Sequence, residues 1–181
     1  PVAKPDQFSL GWQAYDEGRF AEACRIWRML AEKGMVGAQV NLGVMYDSGT
    51  GVSEDPAAAA KWYRSAAIQS DRGAQYNLGL MYEAGRGVPQ DLKQAAAWQL
   101  KAAEQGFAEA QYTLGRMYAA GTGVVQNRDR AIDWLHKSAR SYLEEGIGQK
   151  ALTAVEAINR LSPDHPLGEE LRAQIHLSDA S

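Results

Sequence analysis

Apolar positions in this chain repeat on two length scales. Ala38, Leu42, Met45 and Tyr46 stand at i, i+4, i+7 and i+8, the spacing that gathers side chains on one face of an α-helix. The whole segment around them, Ala38-Gln39-Val40-Asn41-Leu42-Gly43-Val44-Met45-Tyr46, recurs as Ala74-Gln75-Tyr76-Asn77-Leu78-Gly79-Leu80-Met81-Tyr82. It recurs again as Ala110-Gln111-Tyr112-Thr113-Leu114-Gly115-Arg116-Met117-Tyr118, each copy 36 residues after the last. A fixed period of this size is the signature of stacked supersecondary units, and it decides the architecture before any local feature does.

Each copy continues into a Gly-x-Gly-Val loop, at 49–52, 85–88 and 121–124, and then into a second Ala-rich run carrying Trp62, Trp98 or Trp134. The loop glycines suit a chain that leaves a helix through positive φ. Asp55, Asp91 and Asn127 then stand where an N-cap is expected, and Pro56 fits the first helical position. Gly43, Gly79 and Gly115 lie inside the first helix, where glycine costs about 1 kcal/mol relative to alanine. A close approach of the partner helix, backbone to backbone, is the expected compensation. The regular tryptophans read as packing between units.

Taken together, the pattern A-x-x-x-L-G-x-x-Y-x-x-G-x-G-V-x-x-D-x-x-x-A-x-x-W resembles the Sel-one-like repeat (SLR) family, whose units are related to tetratricopeptide repeats. The resemblance implies an all-α fold, a right-handed α-α superhelix (solenoid) of antiparallel helix pairs. Within a single solenoid domain spanning 1–181, three such repeats are expected at 37–73, 74–109 and 110–145. Residues 6–36, with Leu10-Gly11, Ala14-Tyr15, Gly18, Phe20 and Ala23 but no Gly-x-Gly-Val loop, resemble a tetratricopeptide unit. Residues 146–181, with Ala151-Leu152, Val155, Ile158 and Leu161 and a last helix near 166–177, should close the open end, as terminal repeats do.

The same resemblance implies that first helices line the concave face and second helices the convex one. The outward first-helix positions, two before and two after the recurring Leu, are then Phe8 and Trp12, Val40 and Val44, Tyr76 and Leu80, and Tyr112 and Arg116. Such a groove suits an extended or helical apolar peptide. Asn41 and Asn77 precede the Leu, where related families hydrogen-bond a peptide backbone; the alternative role is a bond to a neighbouring helix end. Tyr76 and Tyr112 could equally pack between units, and Phe8 and Trp12 could equally pack the cap. Asp47, Glu83 and Arg116 lie toward the rim.

Composition removes several alternatives. A net charge of -3 gives no broad positive field for nucleic acid, and no stretch reaches the roughly 18 apolar residues of a membrane span. Cys24 is the single cysteine, so no disulfide and no cysteine-based zinc site can form within the chain, and its apolar setting suggests a buried, inert thiol. His136, His165 and His176 lack metal-pair spacing; Gly146-Ile147-Gly148 reads as a helix break; S-x-x-K, K-T-G and G-x-S-x-G are missing. No cofactor is expected. The chain opens Pro1-Val2-Ala3-Lys4-Pro5 without an initiator methionine, as a processed or trimmed polypeptide would, so its start does not reveal the compartment; family resemblance favours a periplasmic or secreted setting. The expected function is a non-catalytic protein-interaction scaffold or adaptor. The alternatives are a cell-envelope enzyme or β-lactam- or peptidoglycan-binding protein, by family analogy alone, and a structural module that binds through its convex face.

Overall fold

Helix boundaries fall where local chemistry puts them. A computed structural model of the protein describes residues 6–163 and 165–178; the Pro1-Val2-Ala3-Lys4-Pro5 opening and the side chain of His176 lie outside what it describes. Among the described residues there are ten helices and no strands. They are α1 (Gln7–Asp16), α2 (Phe20–Glu32), α3 (Val36–Ser48), α4 (Pro56–Ala67), α5 (Arg72–Ala84), α6 (Leu92–Glu104), α7 (Ala108–Ala120), α8 (Arg128–Glu144), α9 (Gly148–Leu161) and α10 (Pro166–Ser178).

The expected caps are in place. The Asp55 carboxylate accepts from Ala58 N at 3.0 Å with Pro56 following at the first helical position, and Asn127 Oδ1 accepts from Arg130 N at 2.9 Å. Asp91 Oδ1 accepts from both Lys93 N and Gln94 N at 3.0 Å. Two further caps, Asp6 to Ser9 N and Asp71 to Ala74 N, both at 2.7 Å, begin α1 and α5. At the other end of α3 the chain turns out through Gly49 at φ 68°, whose N–H returns to Met45 O.

The chain divides into two compact units, residues 1–90 and 91–181. In the first, α1 to α5 pack in sequence order, each on the next, around Trp27, Leu30, Leu42 and Met45. In the second, α6 to α9 pack likewise, and α10 folds back on both α9 and α8, burying Leu171 beside Ile132, Leu135, Val155 and Ile158. The final helix thus covers apolar surface that the last pair leaves open.

At Gly115 the expected backbone approach is present, with the Ala131 carbonyl oxygen 3.1 Å from where a Cβ would lie, and at Gly43 and Gly115 alike a side chain comes closer still. A Cβ on Gly43 would lie 2.5 Å from Cε1 of the buried Tyr63 ring, and one on Gly115 would lie 2.8 Å from Leu135 Cγ. What needs most of the room is a large side chain of the second helix. The second loop glycine also has a role beyond the cap: a Cβ on Gly51 would lie 2.6 Å from the Phe20 carbonyl carbon, at the start of α2. Gly87 meets the Pro56 carbonyl and Gly123 the Leu92 carbonyl in the same way. Each loop therefore seats on the first turn of the second helix of the preceding pair.

A buried amide completes the spacing. Gln39 Nε2 donates to Ala31 O at 3.2 Å, Gln75 Nε2 to Ala67 O at 3.1 Å and Gln111 Nε2 to Ala103 O at 3.2 Å. Each is a second bond to a carbonyl in the last turn of the preceding helix, which also accepts from the backbone N–H of Gly34, Ser70 or Gly106. Gln69 Nε2 in turn donates to Gln39 Oε1 at 2.8 Å, and Ser141 Oγ to Gln111 Oε1 at 2.9 Å. The helix-end contact entertained for Asn41 and Asn77 is made by these glutamines instead.

The regular tryptophans are half-buried. Trp62 packs against the first core, while Trp98 and Trp134 carry the ammonium groups of Lys101 and Lys137 at 4.2 Å from their ring centroids. The fully buried tryptophan is Trp27, which lies over Gly11 as Tyr63 lies over Gly43. Cys24 is buried in the same core, and burial pushes its thiol pKa up, so the inert form is favoured.

Candidate interaction surface

In the first unit, α1, α3 and α5 carry Phe8, Trp12, Val40, Asn41, Val44, Tyr76, Asn77 and Leu80. Trp12, Val44 and Leu80 expose 43%, 44% and 36% of their surface. Phe8, Val40 and Tyr76 are half-buried. Phe8 has a structural contact of its own: a Cβ on Gly37 would lie 2.9 Å from its Cζ, so its ring seats on the start of α3.

Trp12, Asn41 and Val44 come together around a pocket of about 120 Å³ whose other walls are Tyr15, Trp27 and Met45. It sits within a run of aromatic rings: Trp12 lies edge-on to Trp27 at 5.0 Å and to Tyr15 at 5.8 Å, and Tyr15 lies against Phe20 at 5.0 Å. Tyr15 and Trp27 escape the outward-position rule because they reach the pocket from beneath α1 and from α2. Asn77 has a different neighbour, the hydroxyl of Tyr63, whose pKa is raised chiefly by burial and then by the Asp47 charge.

In the second unit, Tyr112 and Arg116 of α7 line a pocket of about 140 Å³ with Ala119, Leu135, Ala157, Arg160 and Leu161. Arg160 comes from α9, outside the repeats, and gives this pocket a second guanidinium beside an apolar floor. Asp47, read as a rim charge, is engaged by Arg86: the guanidinium pairs with its carboxylate and with Glu54 at 2.7 Å, and donates to the Asp47 carbonyl at 2.7 Å.

Successive helices are also joined by cations over aromatic rings. Arg28 lies 5.9 Å from the Tyr46 ring centroid and bonds its hydroxyl at 2.6 Å; Arg64 does the same to Tyr82, and Arg130 to Tyr118. Among the described residues no group of His, Cys, Asp and Glu is placed to hold a metal ion, and no helix is long and apolar enough to cross a membrane.

Helix pairs spaced by loop glycines and helix-end glutamines, with apolar side chains exposed on their first helices, define a helical-repeat protein of the solenoid class. The chain belongs to the Sel1 repeat family, whose model matches residues 36–71, 73–107 and 108–142. Sel1-repeat proteins typically mediate protein–protein interaction, and the repeat scaffold is generally non-catalytic. Over 94% of its length the chain is similar to a protective antigen of uropathogenic Escherichia coli strains displaying an SLR fold, at 34% identity and TM-score 0.81, covering 37% of that protein. It is also similar to a Sel1 repeat protein from Oxalobacter formigenes, at 28% identity and TM-score 0.69, over 83% of this chain and 69% of that one. A stretch of 64 residues, 35% of the chain, is 41% identical to an exopolysaccharide production negative regulator of Rhizobium leguminosarum bv. viciae. The chain spans 24% of that protein's length and 23% of the corresponding regulator of Rhizobium meliloti, about a quarter in each case.

Proposed function

We propose that this protein is a non-catalytic scaffold or adaptor that captures a segment of another protein on the first-helix surfaces of its repeats. The observation that carries this reading is the exposure of Trp12, Val44 and Leu80, three large apolar side chains at corresponding outward positions. Covering a side chain of this size contributes up to about 1.5–3 kcal/mol, so a partner contacting several of them gains useful affinity. In the second unit, Tyr112 and Arg116 would add an aromatic contact and a cation. The regulator names of the rhizobial relatives suit a protein that acts by contact.

Site-specific photo-crosslinking of the full chain tests it. A crosslinker at Val44 or Leu80 should trap a protein partner in cell extract, and one at Val125, which is 88% exposed on a loop, should not. The double substitution Trp12→Ala, Tyr76→Ala should weaken capture about tenfold or more. Equal trapping at Val44 and Val125, or unchanged capture by the double variant, would refute the assignment.

A second reading, contact through the second-helix side, draws support from a pocket of about 260 Å³ lined by Leu100, Tyr118, Arg130, Asp133, Trp134 and Lys137. Crosslinks from Trp134 in place of Val44 would select it.

A further inference from the structure

The repeats differ at one place in a consistent direction. Where the first copy has Val44, Asp47, Glu54 and Pro56, the third, two repeat lengths on, has Arg116, Ala119, Gln126 and Arg128. Two cations are gained and two acids lost. In the first unit those acids have a defined role, because the Arg86 guanidinium pairs with the carboxylates of both Asp47 and Glu54. The second unit places an arginine in the same relation to the altered positions: Arg160, in the last turn of α9, lies with Ala119 and Gln126 at one cleft. It is an arginine whose two acids have been replaced by a methyl group and an amide.

Among the described residues no carboxylate pairs with Arg116, Arg128 or Arg160, and all three are exposed. Arg128 donates to the Leu161 carbonyl and Arg160 Nε to the Glu156 carbonyl at 3.4 Å, and neither bond compensates the charge. Three like charges gathered on a chain of net charge -3 repel one another unless an anion meets them. A guanidinium matches the planar carboxylate, which it can hold through two parallel hydrogen bonds.

The cleft also has an apolar compartment. The pocket of about 140 Å³ floored by Tyr112, Leu135 and Ala157 shares Ala119, Arg160 and Leu161 with the larger space reached by Gln126 and Arg128. Its volume is near the roughly 150 Å³ that holds a single benzene ring, so it admits one apolar side chain.

We propose that this cleft binds an acidic segment of a partner protein, with one apolar side chain in the smaller pocket and the neighbouring side-chain carboxylates on Arg116, Arg160 and Arg128. Those carboxylates stand where Asp47 and Glu54 stand in the first unit. The inference rests on the scaffold reading and adds the chemistry of the partner.

Titration of the full, nitrogen-15-labelled chain with acetyl-Glu-Glu-Leu-Glu-Glu amide, whose acidic flanks serve either chain direction, tests it. The backbone signals of Ala119, Gln126 and Leu161 should shift and saturate, with a dissociation constant on the order of millimolar, while those of Gly18 and Gly49 stay still. The peptide with glutamine in place of glutamate should bind about tenfold more weakly or less, and glycine in place of leucine should weaken binding about fivefold. Raising the salt from about 0.05 M to about 0.5 M should weaken it about fivefold or more. Arg160→Gln should weaken it about fivefold, and Lys93→Gln, an exposed cation elsewhere in the unit, should leave it unchanged. Ala119→Asp combined with Gln126→Glu, which returns the acids of the first copy to Arg160, should abolish binding without loss of helical circular dichroism.

Equal binding of the glutamine peptide, indifference to salt, or undiminished binding by Arg160→Gln or by the double variant would each overturn the proposal. If Val44 and Leu80 still crosslink a partner in that case, the acidic cleft fails and the interaction surface of the first unit stands. Saturable binding of the acidic peptide without those crosslinks would leave the cleft and remove the wider surface.

Discussion

The buried ring of Tyr63 lies so close to Gly43 that a Cβ on the glycine would stand 2.5 Å from Cε1. Alanine is favoured over glycine in a helix by about 1 kcal/mol, whereas overpacking a core against a rigid ring costs about 1–3 kcal/mol. Gly43→Ala should therefore lower stability by about 1–2 kcal/mol in urea denaturation. Combined with Tyr63→Ala, which opens the space, the same glycine change should become neutral or stabilising. A double-mutant cycle showing no coupling would mean that the ring is not what excludes the methyl group.

Gln111 links three elements of the second unit, donating to Ala103 O and accepting from Ser141 Oγ. Gln111→Leu keeps the volume and removes both bonds while Ala103 O retains its bond from Gly106 N, which should cost about 1–1.5 kcal/mol. Gln149→Leu, on an exposed position of α9, should change stability by less than about 0.5 kcal/mol. Equal effects of the two changes would show that the buried amide does not tie α7 to its neighbours.

Positive φ and close contact are separable at two glycines of the first unit. Gly18 has φ 76° with open space around it, while Gly51 has φ 72° and lies on the Phe20 carbonyl. Gly18→Ala meets only the left-handed strain, about 1–2 kcal/mol. Gly51→Ala adds a backbone clash that no rotamer relieves, so its loss of stability should exceed that of Gly18→Ala by at least about 1 kcal/mol. Comparable melting temperatures would contradict the seating of the loop on α2.

His136 supplies a pH dependence. Burial, followed by the charge of Arg140, holds its pKa below the ordinary 6.5; His165 acts in the same direction, and Glu170 and Asp133 oppose it. The unfolded chain then binds the proton more readily than the folded one, so this contribution to stability is complete above about pH 6.5 and is lost as pH falls through the lower folded value. The melting temperature should drop between about pH 7.5 and about pH 5.5, and His136→Gln should reduce that drop. Asp6 and Glu17, held below 3.8 and 4.5 by hydrogen bonds from Ser9 N and from Gln13, lose their contributions only at more acid pH.

Much of the helix map was legible because its signals are local. A left-handed glycine ends α3, an acid or amide begins α4, α6 and α8, and period-3.6 spacing marks each buried face. The outward positions of the first helices were what the family resemblance implied, and that is how Trp12, Val44 and Leu80 could be named as exposed apolar residues. Trp27 and Arg160 could not, because each reaches its pocket from another element and the distance along the chain carries no trace of that meeting.

The repeated glycines and glutamines show the same division. Their recurrence every 36 residues establishes that each repeat meets a constant demand, since a residue of poor helix propensity recurring inside a helix must be compensated. What the demand is depends on atoms brought together across helices: a Tyr63 ring over Gly43, a Phe20 carbonyl under Gly51, an Ala31 carbonyl facing Gln39. The amino-acid order alone determined the family, the helices and their caps, because propensity and hydrogen bonding to near neighbours act over a few residues. Only the tertiary structure decided which donors went unpartnered, because Trp27 and Asn41 are an ordinary indole and an ordinary amide until packing removes water and offers no oxygen in its place.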